Sequence, residues 1–122
     1  MKTILVIAAL IGAAVAQGYF YTTADDFLDM GGVVKDNLKL QAMTDCFLDK
    51  KPCDKVAASY KAVIPDSFAN GCRKCNAAQK HMANVYFAGL KQNLPHDYLT
   101  FLEKYDPQGV FVDRFLDSIR NY

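Results

Sequence analysis

Apolar positions along this chain recur three and four residues apart, the spacing that lines one face of an α-helix. Val34, Leu38, Ala42 and Cys46 fall every four residues, and Leu40, Met43 and Phe47 widen the stripe. They predict a helix from near Val33 until Lys50-Lys51-Pro52 ends it. Ahead of it, Asp25, Asp26 and Asp29 follow Thr22-Thr23 beside Phe27-Leu28, the signature of a short acid-capped first helix stopped by Gly31-Gly32. Val56, Tyr60, Val63, Ile64 and Phe68 predict a third helix between Cys53-Asp54 and Asn70-Gly71, with a kink or a fresh turn at Pro65. Asn76 and Gln79 form a capping-box pair opening a fourth, whose inner face is Ala78, Met82, Val85, Tyr86 and Gly89. Pro95 suits the first turn of a fifth helix carrying Tyr98, Phe101, Leu102 and Tyr105, and Asp106-Pro107 repeats that start signal for a sixth.

No stretch alternates apolar and polar residues long enough to argue for a strand, so the expected fold class is all-α, six short amphipathic helices joined by short links. Phe111, Val112, Phe115, Leu116 and Ile119 give the sixth helix an apolar face too long to leave in water. That face must cover the other five helices or a partner.

The start of the chain changes the picture. Lys2 precedes an uncharged apolar run, Ile4 to Val15, and Ala14-Val15-Ala16 has the small-residue spacing of a signal-peptidase site. Residues 1–16 are therefore expected to be a signal peptide, leaving 17–122 as a single secreted domain. The run is shorter than the roughly 20 residues of a membrane span, so no stable membrane insertion is expected. With Lys2 removed, the 14 basic residues fall level with the 13 acidic ones, giving nucleic acid no basic excess to bind. Eight Phe and seven Tyr without Trp promise an aromatic interior.

Cys46, Cys53, Cys72 and Cys75 give the spacing C-x6-C-x18-C-x2-C. An even count in an oxidising compartment points to two disulfides. Three pairings are open; Cys46 with Cys53 and Cys72 with Cys75 close the shortest loops.

This cysteine spacing comes with Leu48-Asp49-Lys50, Pro52-Cys53, Ile64-Pro65-Asp66, Gly71-Cys72-Arg73-Lys74-Cys75, Gln79-Lys80 and Lys104-Tyr105-Asp106-Pro107. Together they resemble the insect chemosensory protein family, from Tyr21 to near Phe115. The resemblance implies six helices around an internal apolar channel, cysteines paired with their neighbours into two small rings, and binding of long-chain lipids, pheromone-like compounds and other apolar molecules. Lys51 stands where the family often has glycine, and Tyr98 where it often has tryptophan.

Other chemistries find little footing. His96-Asp97 is similar to the catalytic pair of secreted phospholipases, but no cysteine pair follows it and no glycine-rich calcium loop exists. It is better explained as a polar first helical turn with Asp97 at the positive end of the dipole. Cys72-x2-Cys75 has the spacing of a redox pair or half a zinc site, yet a structural disulfide fits a secreted chain better. His81 sits among polar residues and is expected in solvent. Neither a G-x-S-x-G turn nor a Walker loop occurs, so no catalytic residues, no metal and no cofactor are expected.

The function expected is that of a soluble carrier. Leu38, Met43, Ile64, Met82, Val85, Tyr86, Tyr98, Phe111 and Phe115 are the expected ligand-binding residues, with the methionines as adaptable fillers and a Tyr86 or Tyr98 hydroxyl orienting a head group. The expected partner is an apolar small molecule, fatty-acid-like, pheromone-like or odorant-like, held by a monomer. The alternative is a secreted interaction or developmental protein docking a receptor through the sixth helix.

Overall fold

The structure, a computed structural model, describes residues 19–122, so the expected signal segment lies outside the described residues. Six helices form among them: α1 Met30–Lys35, α2 Asn37–Phe47, α3 Lys55–Asn70, α4 Ala77–Asn93, α5 Pro95–Tyr105 and α6 Val112–Ile119.

The first two helices depart from the periodic reading. Residues 21–29 form a non-helical strap with a turn at Asp26-Phe27, because their short polar side chains bond nearby groups instead of leaving the backbone to coil. Asp25 accepts the Phe27 N–H at 2.9 Å, and Thr23 bonds Asp26. Asp29 then caps α1, which runs through Gly31-Gly32 instead of stopping there. A Cβ on Gly32 would lie 2.7 Å from the capping carboxylate. Asp36 starts α2 by accepting the Leu38 and Lys39 N–H groups, and this fresh start resets the helical phase. Leu40, Thr44 and Phe47 turn inward, while Leu38 is 84 % exposed. α2 closes at Phe47, and the left-handed residue in the following loop is Asp49 at φ 62°; Lys51 has no positive φ, so a side chain there costs no backbone strain.

Most later signals hold, and two do not. Asp54 caps α3, Gly71 ends it in the left-handed conformation at φ 67°, and the helix continues unbroken through an exposed Pro65. Asn76 and Gln79 close both halves of the capping box, and Pro95 is the first residue of α5. Asp106-Pro107 opens a turn, not the sixth helix. The buried Asp106 side chain reaches forward to accept the N–H groups of Val110, Phe111 and Val112, where α6 begins. Burial pushes its carboxyl pKa up, but these backbone bonds outweigh that and hold it below the ordinary range.

Both disulfides are local, Cys46–Cys53 and Cys72–Cys75. α1 packs on α2 and α4, with Gly89 so close that a Cβ would meet the Val34 Cβ at 2.5 Å. α4 also packs on α5 and α6, and α3 on α2, α5 and α6. Phe115 and Ile119 of α6 are buried, so its apolar face covers the bundle.

Candidate functional site

α3 and α4 are joined through the Cys72–Cys75 ring but face each other across a hollow instead of packing closely. The hollow measures about 90 Å³. Tyr60, Val63, Ile64, Ser67 and Phe68 of α3 form one wall, and Gln79, Met82, Ala83, Tyr86 and Phe87 of α4 the other. Met30 and Phe47 close one side, Phe115 backs it, and Tyr21 and Thr23 of the strap lie over it. Among the described residues no charged side chain lines it.

Hydrogen bonds hold the strap down. The Tyr21 N–H donates to the Lys74 carbonyl at 2.9 Å, and the Tyr21 hydroxyl donates to Asp66 at 2.6 Å. Gln79 donates to the Tyr21 carbonyl at 2.9 Å and to Thr23 and Asp26 at 3.2 Å each. Asn76 also donates to Asp26 at 3.0 Å, and the Tyr60 hydroxyl to the Asp25 carbonyl. Burial raises the Asp26 pKa, yet the bonds from Thr23, Asn76 and Gln79 win and keep it below the ordinary carboxylate value. Burial pushes the Tyr21 and Tyr60 hydroxyls up to about 12, so both stay protonated donors at physiological pH.

Of the nine residues expected to touch a ligand, Ile64, Met82, Tyr86 and Phe115 line this hollow. The other five do not. Leu38 points to solvent, Met43 lies in a surface groove between α1, α2 and α3, and Tyr98 lines another beside α4 and α6, where the Lys91 ammonium sits 5.9 Å from its ring. Val85 and Phe111 are half-buried against the core elsewhere. Tyr60 and Phe68 belonged to the α3 stripe and could have been chosen from it; the strap residues Tyr21 and Thr23 carried no periodic signal.

Elsewhere, His96 is exposed, and Asp97 accepts from Gln41 at 2.8 Å, whose amide also bonds Asp45. His81 is exposed beside the Tyr122 carbonyl oxygen at 2.7 Å. Among the described residues no three His, Cys, Asp or Glu side chains converge as a metal site would require, and no helix is long and apolar enough to cross a membrane.

A helical bundle stapled by two local disulfides around an uncharged hollow defines a class, the small proteins that enclose an apolar molecule. The comparisons give the family. Residues 21–113 match the model of the insect pheromone-binding family, A10/OS-D, and the chain belongs to that family. It is a family of binding proteins, not of enzymes. The chain is 28% identical to "Allergen Tha p 1" of Thaumetopoea pityocampa over 97% of its length and 95% of the relative's. It is 26% identical to "Ejaculatory bulb-specific protein 3" of Drosophila melanogaster, over 94% and 91%. Among solved structures, "Chemosensory Protein in Complex with bromo-dodecanol" superposes with a TM-score of 0.72 at 25% identity, over 80% of this chain and 97% of that one.

Proposed function

We propose that the chain is a secreted monomeric carrier, released by removal of residues 1–16, that takes an apolar, fatty-acid-like, pheromone-like or odorant-like molecule into the hollow between α3 and α4. The observation that carries this reading is the uncharged hollow lined by Met30, Ile64, Met82 and Phe115. A solved relative in complex with bromo-dodecanol supports it. At about 90 Å³ the hollow is smaller than the roughly 300 Å³ or more of small-molecule sites, so a guest opens it further. Two features allow that. The disulfide rings leave the arms of the α3–α4 hairpin unlinked beyond their turn, and methionine changes rotamer at little cost.

The driving force is removal of hydrocarbon from water. About eight buried methylenes at about 0.8 kcal/mol each give roughly 6 kcal/mol, a dissociation constant of tens of micromolar, and longer chains bind more tightly until the opened space is full. The test is displacement of an uncharged fluorescent probe, N-phenyl-1-naphthylamine, by long-chain alcohols. Saturable displacement at tens of micromolar is expected; none at that concentration overturns the carrier reading. The alternative of a docking protein has less to stand on, because Phe115 and Ile119 of the α6 face it needed are buried in the bundle and Phe111 and Leu116 pack half-buried against it.

A further inference from the structure

Resting on the carrier reading, the hydrogen-bond arithmetic of the hollow names the kind of guest. Among the described residues six side chains along its wall carry N–H or O–H donors, and five have them engaged. Tyr21 donates to Asp66, Thr23 to Asp26, Tyr60 to the Asp25 carbonyl and Ser67 to the Ile64 carbonyl, while the Gln79 amide is shared among Tyr21, Thr23 and Asp26.

Tyr86 is the exception. It is 3 % exposed, and its hydroxyl lies 2.8 Å from that of Thr44, which is 0 % exposed. Among the described residues neither hydroxyl has another classical N or O partner. Two hydroxyls bring two hydrogens, and one bond between them uses one. The other is left in a dry interior, where an unmet donor is costly. Tyr86 lines the hollow and Thr44 does not, so with Thr44 as the donor the unmet hydrogen belongs to the residue that borders a guest. Burial pushes the Tyr86 pKa up, so that hydrogen is present at every physiological pH.

We propose that Tyr86 selects guests whose apolar chain carries a neutral hydrogen-bond acceptor, such as an ester, ketone or aldehyde oxygen. A carboxylate would meet no cation along the wall, and burying an unpaired charge is far costlier than burying an ester. An acceptor-free chain would leave the Tyr86 donor unmet.

The experiment measures displacement of N-phenyl-1-naphthylamine at neutral pH by methyl dodecanoate, dodecyl chloride and dodecanoate, from the wild type, Tyr86→Phe and Thr44→Val. Each compound is compared across proteins, so its solubility cancels. Tyr86→Phe should weaken methyl dodecanoate roughly five- to tenfold and leave dodecyl chloride within about twofold. Thr44→Val should keep the ester's advantage, since the Tyr86 hydrogen survives, and dodecanoate should be the weakest competitor. An ester unaffected by Tyr86→Phe, or dodecanoate as the strongest competitor, overturns the inference and leaves the carrier intact; no displacement from wild type by any of the three overturns both. Should Tyr86→Phe not fold, infrared spectra of wild type decide: the bound ester's carbonyl stretch must fall below its value in alkane solvent, and an unshifted band refutes the hydrogen bond.

Discussion

The two sides of the Phe68, Phe87 and Phe115 wall are built from different materials. Behind it, toward α5, Phe101 is fully buried and meets Phe87 at 5.1 Å, Phe68 at 5.8 Å and Tyr105 at 4.7 Å between ring centroids. In front of it, Met30, Tyr60, Ile64 and Met82 surround unfilled space. Rigid rings in edge and tilted contact fill volume and fix one arrangement, whereas side chains that border a void, the flexible Met30 and Met82 above all, tolerate several. The bundle is therefore anchored on one side and adaptable on the other, and substitutions on the two sides should behave differently.

The largest effect belongs to the packed side. Phe101→Ala should lower unfolding free energy by about 3–5 kcal/mol in denaturant titrations, because no neighbour can collapse into the ring's place. Met82→Ala should cost less, about 2 kcal/mol, since that side chain already borders empty space. Equal losses at the two sites would remove the distinction. Ala83→Leu fills the hollow instead. Calorimetry should show stability within about 1 kcal/mol of wild type, and titration with a long-chain alcohol should show affinity reduced about tenfold or more.

How much of this the sequence displays depends on whether a signal is local. The capping box at Asn76 and Gln79, the proline opening α5, the Gly71 stop and the cysteine rings each act within a few residues, and all are visible in the chain. The stripe Val34, Leu38, Ala42 and Cys46 misleads because it spans two helices. Asp36 ends one phase and starts another, and Leu38 rotates to solvent. The site was legible only in part, since a void is what facing helices fail to fill. Periodicity names inward faces, and it cannot say that Met82 borders space while Leu90 is packed on every side. Tyr98 shows the same limit: its place on the α5 face was plain, but it lines a separate groove.

The smallest effect concerns the strap. Because the folded-state pKa of Asp26 lies below its unfolded value, its clip contributes fully above about pH 4 and is lost as pH falls from there through the folded value. Asp26→Asn should therefore be less stable than wild type at neutral pH, with the gap closing in unfolding curves collected below about pH 4. A gap that widened on acidification would contradict the assignment.

The central claim is that an apolar chain enters between α3 and α4 and nowhere else. Methyl-labelled methionine reports on it directly, because Met30 and Met82 line the hollow and Met43 lies in the surface groove. Titration of the labelled protein with dodecanol should give saturable shifts in the nuclear magnetic resonances of the Met30 and Met82 methyl groups, with Met43 still; movement of Met43 alone would contradict entry between α3 and α4.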